Sequence, residues 1–500
     1  MKNYIKAMAV SVSLLAMTTA CTGDFDEINT NPDAYSSVPY TNVLGECLRA
    51  SAGQWTSLDI AQWAGYVAEI QYMNDYTGYI PTNNTYGNRW YRAYWVHVQL
   101  QDILDKTEAS AEANKNLRNV CIVWQNYLMY LNLTCFGDMP YSEAFKGAPE
   151  YGSVLQAKYD KQSEIYPQIL NNLKTVADSW AAGLGTDDLG SGDFLFNGDV
   201  AKWQKFCNSL RMKIAVQISG VYSDSQSIFE SIINNPTAYP YITANADNAY
   251  FWWQGTSPYY EPWYDNKRTR DDDGMADIFI NHLKSMSDPR LAVYAKPATS
   301  DGEYRGIENG YDKALPDLSV ISRIGAKYRD DPKGATPYYR ACETYYMMAE
   351  AALNGWKTPM TAEEAYTQGV KLSMADNDVA DADVANYLAG KGKWDNTKSK
   401  LYFEWWVGLF KEDISAWTLY RRTGYPTYIH TAKAYDGVTP EYPGIKSGFK
   451  GIHNDVPFRF AYPNNQFLYN KANVTAASTN IVDYVWGEKL WWDTRSTDYH

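Results

Sequence analysis

Apolar residues recur at helical spacing through most of this chain. Behind Asp199, the residues Val200, Trp203, Cys207, Leu210 and Ile214 fall on one helix face, with Asp199 placed to cap it and Gly220 to end it. Thr336 and Pro337 are placed to open a second helix, lined by Tyr338, Ala341, Cys342, Tyr345, Met348 and Ala352 and stopped by Asn354-Gly355. Thr361 and Glu364 then form a capping box for a third helix carrying Ala365, Gly369 and Leu372. The same spacing predicts helices over 41–70, 89–107, 116–135, 160–180 and 398–422. Two helices joined by a short loop, with small residues where they touch, make a tetratricopeptide-like pair, although no strict repeat motif is present. The expected fold class is therefore all-α dominated, with long loop-rich insertions at 71–88, 136–158, 221–274, 292–335 and 423–497. Loops of such length inside a folded protein are usually functional.

The first residues break this pattern. Lys2 and Lys6 precede an apolar run, Ala7–Met17, that is too short to span a bilayer. The small residues Thr18-Thr19-Ala20 then lead directly into Cys21. This reads as a signal peptide over 1–20 and resembles a bacterial lipobox, in which Cys21 is acylated after cleavage. Thr18 stands where Leu is usual, and a plain secretory signal with a coincidental Cys is the alternative. Removing Met1–Ala20, whose only charges are Lys2 and Lys6, takes the formal net charge from −13 to −15. Asp24, Asp26 and Glu27 follow the Cys, in the manner of an acidic signal for surface export. Val120–Leu133 is the most apolar later segment, but Gln125, Asn126 and Asn132 interrupt it. The expected attachment is thus through lipid alone, on several acyl chains because one binds only marginally.

An acidic surface repels phosphate backbones, which disfavours nucleic acid as a partner. The five Cys left after Cys21 have no CxxC spacing and are an odd number, which argues against a full disulfide framework. Cys121, Cys135 and Cys207 lie in apolar helical segments as small hydrophobes. The five His residues are scattered, and neither HExxH, GxSxG nor a phosphate-cradling loop occurs, so no catalytic residue, cofactor or metal is assigned. Asp271-Asp272-Asp273-Gly274 hints at a calcium loop, but Thr269 and Ile280 stand where an EF-hand needs ligands, and a solvated turn is expected instead. A glycoside hydrolase needs two spaced carboxylates. With 58 Asp plus Glu some pair can always be proposed, so that alternative stays open.

Several segments, in order, resemble the SusD/RagB family of outer-membrane nutrient-binding lipoproteins. They are Phe25–Pro32 after the Cys, Phe136–Ala144, Tyr159–Gln162, Asp199–Ser219, Asp288-Pro289-Arg290, Tyr345–Ala352, and Pro457–Pro463 with Asn470. Each is weak alone; their collinearity carries the likeness. The closing Trp486, Trp491, Trp492 and Asp493 resemble a diverged subgroup. The resemblance implies a single domain over 21–500, built on about four tetratricopeptide-like pairs with a loop-rich ligand region. It also implies a surface lipoprotein, not an enzyme, that passes a glycan or peptide to a TonB-dependent (SusC-like) outer-membrane barrel.

The chain has 18 Trp and 43 Tyr, residues that join a flat apolar face to a polar handle and so suit sugar rings. Two loop clusters combine them with amides and charges. One holds Tyr72, Asn74, Asp75, Tyr76 and Tyr79, followed by Asn83, Asn84, Tyr86 and Trp90. The other has eight aromatics in the fifteen residues 250–264, including Trp252, Trp253, Tyr259, Tyr260 and Trp263, and is followed by Arg268. These are the expected ligand-binding residues. For the five aromatics of the second cluster, binding and packing weigh evenly. Trp90 and Tyr94 are expected to face the core of their helix.

Overall fold

The computed structural model describes residues 38–55, 58–71, 83–149, 152–309, 315, 317–427, 456–479, 481 and 487–496. The chain opens with α1 (Tyr40–Trp55), α2 (Leu58–Trp63) and β1 (Val67–Glu69). It continues through α3 (Asn83–Lys106), α4 (Lys115–Phe136), β2 (Met139–Pro140), β3 (Tyr159–Asp160), α5 (Gln162–Ala181), α6 (Val200–Gln217) and α7 (Ser225–Ile233). A loop-rich middle follows: β4 (Ala249–Trp252), α8 (Pro262–Thr269), β5 (Asp273–Met275), α9 (Asp277–Ser285), α10 (Leu291–Tyr294), β6 (Ala295–Lys296), β7 (Arg323–Ile324) and α11 (Ala326–Arg329). Then come β8 (Ala335–Tyr339), α12 (Ala341–Leu353), α13 (Ala362–Asp376), α14 (Asp381–Ala389), α15 (Lys398–Gly408), α16 (Asp413–Thr423), α17 (Asn464–Tyr469) and α18 (Lys471–Ala477).

The protein is helix-dominated, and consecutive helices pack as pairs: α3 on α4, α5 on α6, α12 on α13 and α15 on α16. The capping signals work as the sequence implies. Asp199 accepts from the Lys202 amide, and Thr361 and Glu364 cap each other reciprocally. Gly369 lets α13 approach α12 closely, since a Cβ there would stand 2.7 Å from the Tyr346 ring. The segments Phe136–Ala144 and Tyr159–Gln162 meet as the antiparallel pair β2–β3. Asp160 accepts from the Tyr141 and Ser142 amides, and Asp138 caps α5 at the Gln162 amide.

Four expected elements come out differently; one of them, the span 398–422, is the two helices α15 and α16. The span 41–70 is two helices and a strand, because β1 leaves the helical path to pair with β5. Thr336 and Pro337 do not open a helix. They lie in β8, paired with β4, and α12 starts only at Ala341. Asp271–Gly274 is no solvated turn: Asp272 and Asp273 are buried beside or within β5, and a Cβ on Gly274 would stand 2.9 Å from both Ile70 and Ile321.

The core runs from Leu44 to Trp492 and encloses several charges. Arg290 is fully buried between Asp288 (2.6 Å) and Glu404, and also donates to Ser373. Tyr387 donates to the other oxygen of Glu404. Arg421 lies flat between Trp417 (3.4 Å) and Trp492 (4.9 Å) and donates to the Thr134 and Phe458 carbonyls. It thereby ties the end of α4, the Pro457–Pro463 segment and the C-terminal tryptophan together. Burial pushes its guanidinium down to about 10.

The β1–β5 ladder sets Glu69 directly opposite Asp273. Like charges in that position are unfavourable. Burial first, then Asp273 and Asp272, pushes the Glu69 carboxyl up to about 8; burial takes Asp273 to about 6 against the pull of Arg329. Acids raised in the folded state hold protons that the unfolded chain has lost, so this pair's contribution to stability is fully present below the ordinary carboxylate range and is lost as pH rises toward 8. Glu69→Gln, which mimics the protonated form, is expected to raise the melting temperature at pH 8 and leave it almost unchanged at pH 4.5. An equal shift at both pH values would remove the ionisation argument.

Candidate functional site

Strand alternation decides which rings of the second aromatic cluster face outward. In β4 and the residue after it, Ala249, Phe251 and Trp253 turn inward and are buried, while Trp252 is 61% exposed. Pairing with β8, in the register Tyr250 to Pro337 and Trp252 to Ala335, fixes this orientation. Trp253 packs edge-on against Phe251 and donates its indole N–H to the Thr336 hydroxyl (2.9 Å).

Trp252 stands at the rim of a cleft of about 630 Å³. Tyr250 packs against the indole edge at 5.7 Å and donates to Asp376 (2.5 Å), which also accepts from Asn248. Burial pushes the Tyr250 phenol well above its ordinary range, so it remains a neutral donor. Asn245 adds an amide to the lining. Lys327 pairs with Asp378 (2.8 Å), and Lys202 reaches the Ala246 carbonyl (2.6 Å). The cleft therefore offers one exposed indole face, the amides of Asn197, Asn245 and Asn248, and both carboxylates and cationic groups. An indole face stacks on the C–H face of a sugar, and the polar groups can take up its hydroxyls.

The other expected residues separate into three groups. Trp253 and Trp263 are corrected to core residues. Trp263 is fully buried, edge-on to Phe410 with the Lys411 ammonium over its ring, and neither indole has a face free for ligand. Tyr259, Tyr260 and Arg268 are placed on a half-open surface, where Arg268 lies over Tyr260 (4.8 Å) and Arg49 over Tyr259 (5.1 Å). One face of each of those tyrosines is thus taken by the chain's own guanidinium groups. Tyr72, Asn74, Asp75, Tyr76, Tyr79 and Cys21 lie outside the described residues. Trp90 is buried against Phe136, and Tyr94 donates to the Pro140 carbonyl.

Sequence reasoning missed Lys202, Asn245, Asn248, Lys327, Asp376 and Asp378, which four separate segments bring to Trp252. One signal was available: the polar run Asp376-Asn377-Asp378 at the end of α13.

A family model described as "Starch-binding associating with outer membrane" matches residues 35–463. The chain belongs to this SusD-like family. Among solved structures it is similar to a chitin-binding SusD homolog from Flavobacterium johnsoniae, with 22% identity over 91% of this chain and 99% of the other and a TM-score of 0.75. SusD homologs from Bacteroides uniformis (22% identity, 91% and 99% covered, TM-score 0.76) and Bacteroides thetaiotaomicron (20%, 92% and 99%, 0.75) share the architecture. At these identities the likeness establishes the SusD-like fold. No curated protein matches the sequence. Among the described residues, no helix of this SusD-like chain is long and apolar enough to cross a membrane.

Proposed function

We propose that this SusD-like chain is a cell-surface lipoprotein that captures oligosaccharides and delivers them to a TonB-dependent, SusC-like outer-membrane transporter without transforming them. The observation that carries the reading is Trp252, exposed at a cleft whose lining also includes amide, carboxylate and ammonium groups. The family description and the chitin-binding relative support a glycan over a peptide. The lipobox-like Met1–Cys21 supports the anchor.

Trp252→Ala is expected to weaken oligosaccharide binding about tenfold, equivalent to roughly 1.4 kcal/mol. Its melting temperature should barely move, because the ring packs little. Isothermal titration against a panel of glucans and chitooligosaccharides tests this; unchanged affinity for every binder would place the ligand elsewhere. Reducing-end release from the same panel would show turnover and replace the capture reading with a hydrolase. Cys21→Ala is expected to release the protein from membranes into the soluble fraction. Retention in the membrane of cells lacking the partner barrel would refute the lipid anchor.

A further inference from the structure

A second cleft, of about 390 Å³, lies between α3, α4, α5 and the loop after β2, and shares no residue with the Trp252 cleft. Its volume falls within the range of about 300–1,000 Å³ usual for small-molecule sites. Its walls carry amides, rings and hydroxyls and no Asp, Glu, Lys or Arg, in a chain that is otherwise strongly charged. Asn172 is the centre of the polar wall. Its amide nitrogen donates to Asn126 Oδ1 (3.1 Å) and to the Tyr141 hydroxyl (3.2 Å), which leaves Asn172 Oδ1 and the Tyr141 O–H hydrogen without a partner among the described residues. Gln125 spends its nitrogen on the His97 carbonyl and on Gln101, and among the described residues its oxygen is likewise unused.

The apolar wall is held by force. Phe145 adopts a left-handed backbone (φ 66°), a conformation that a bulky residue keeps only where its surroundings impose it. In that position its ring lies flat on His97, 3.9 Å between centroids and 2° from parallel. His97 Nδ1 is buried without a partner among the described residues, and burial pushes the imidazole down to about 3, so it presents a neutral ring.

These features select a ligand by elimination. A charged ligand would enter without a counter-charge. An apolar one would bury the free Asn172, Gln125 and Tyr141 valences unpaired. A neutral sugar has flat C–H faces for Phe145 and Tyr141 and hydroxyls that both donate and accept, matching free acceptors on the amides and a free donor on the phenol. We infer that the α3–α4–α5 cleft is a second binding site for a neutral sugar unit, centred on Asn172, Tyr141 and Gln125. It extends the capture reading to two sites on one molecule but stands on residues independent of Trp252.

The test uses the full-length protein in detergent, titrated with maltohexaose, cellohexaose and chitohexaose in the Trp252→Ala background. At least one hexasaccharide is expected to retain binding, and this residual affinity should fall at least tenfold on Asn172→Ala and on Tyr141→Phe. Tyr141→Phe keeps the ring and the packing, so its melting temperature controls for misfolding. Absence of residual binding overturns the inference, as does residual binding that both changes leave intact. Binding of a neutral peptide such as hexaglycine, lost in the same two variants while the sugars never bind, overturns it in favour of a peptide groove. If Trp252→Ala alone has no effect while Asn172→Ala abolishes binding, the first cleft fails and the second stands.

Discussion

Arg290→Ala is expected to destabilise the fold by about 3–5 kcal/mol, the usual cost of breaking a buried ion pair by removing one partner. Arg290, Asp288 and Glu404 have essentially no exposed side-chain surface. Burial opposes the charged guanidinium, but Asp288 and Glu404 outweigh it and hold Arg290 well above its ordinary range. Removing the arginine leaves two carboxylates out of water without the cation they share; among the described residues Glu404 keeps only the Tyr387 hydroxyl, and Ser373 loses the guanidinium N–H it accepts. The loss should be largely recovered in Arg290→Met combined with Asp288→Asn and Glu404→Gln, because neutralising all partners removes the stranded charge. Urea unfolding measures both. A loss below 1 kcal/mol in the single variant would mean that water reaches the triad.

Trp263→Ala should cost about 3–5 kcal/mol as well, by a different route: a large cavity in a core that relaxes only partly. The indole fills the space between α8 and Phe410, and its N–H has no acceptor among the described residues, so packing and not hydrogen bonding makes its contribution. Trp263→Phe should therefore be much milder. Oligosaccharide affinity, measured below the melting temperature, should hold in Trp263→Ala while it falls in Trp252→Ala. The opposite pattern would return Trp263 to the ligand.

These two tryptophans show what the sequence could tell and where it stopped. Helix positions were readable where a cap and a periodic face agreed, as at Asp199 and at Thr361 with Glu364. They were misread where a short apolar segment served a distant partner. Val67–Glu69 and Ala335–Tyr339 become strands only because Asp273–Met275 and Ala249–Trp252 lie beside them, and nothing local encodes that pairing. The same non-local pairing sorts the aromatic cluster. Trp252 and Trp253 are adjacent and alike in composition, yet a period of two sends one to solvent and the other to the core. Asp376 and Asp378 could not be linked to Trp252 from sequence, since more than a hundred residues intervene and only the folded β4–β8 pair brings α13 to the cleft.

The five cysteines Cys47, Cys121, Cys135, Cys207 and Cys342 are buried and free. Burial pushes Cys47, Cys135 and Cys207 up to about 12, and Cys121 and Cys342 rise as well. Thiolates are the reactive species, so all five are expected to stay silent toward alkylating reagents while the protein is folded. A soluble Cys21→Ala form thus comes ready for site-specific labelling, with no native thiol to engineer away. A dye attached through Gln254→Cys, an exposed position two residues from Trp252, would report cleft occupancy by fluorescence, and a second one placed near Asn172 would watch the other cleft at the same time.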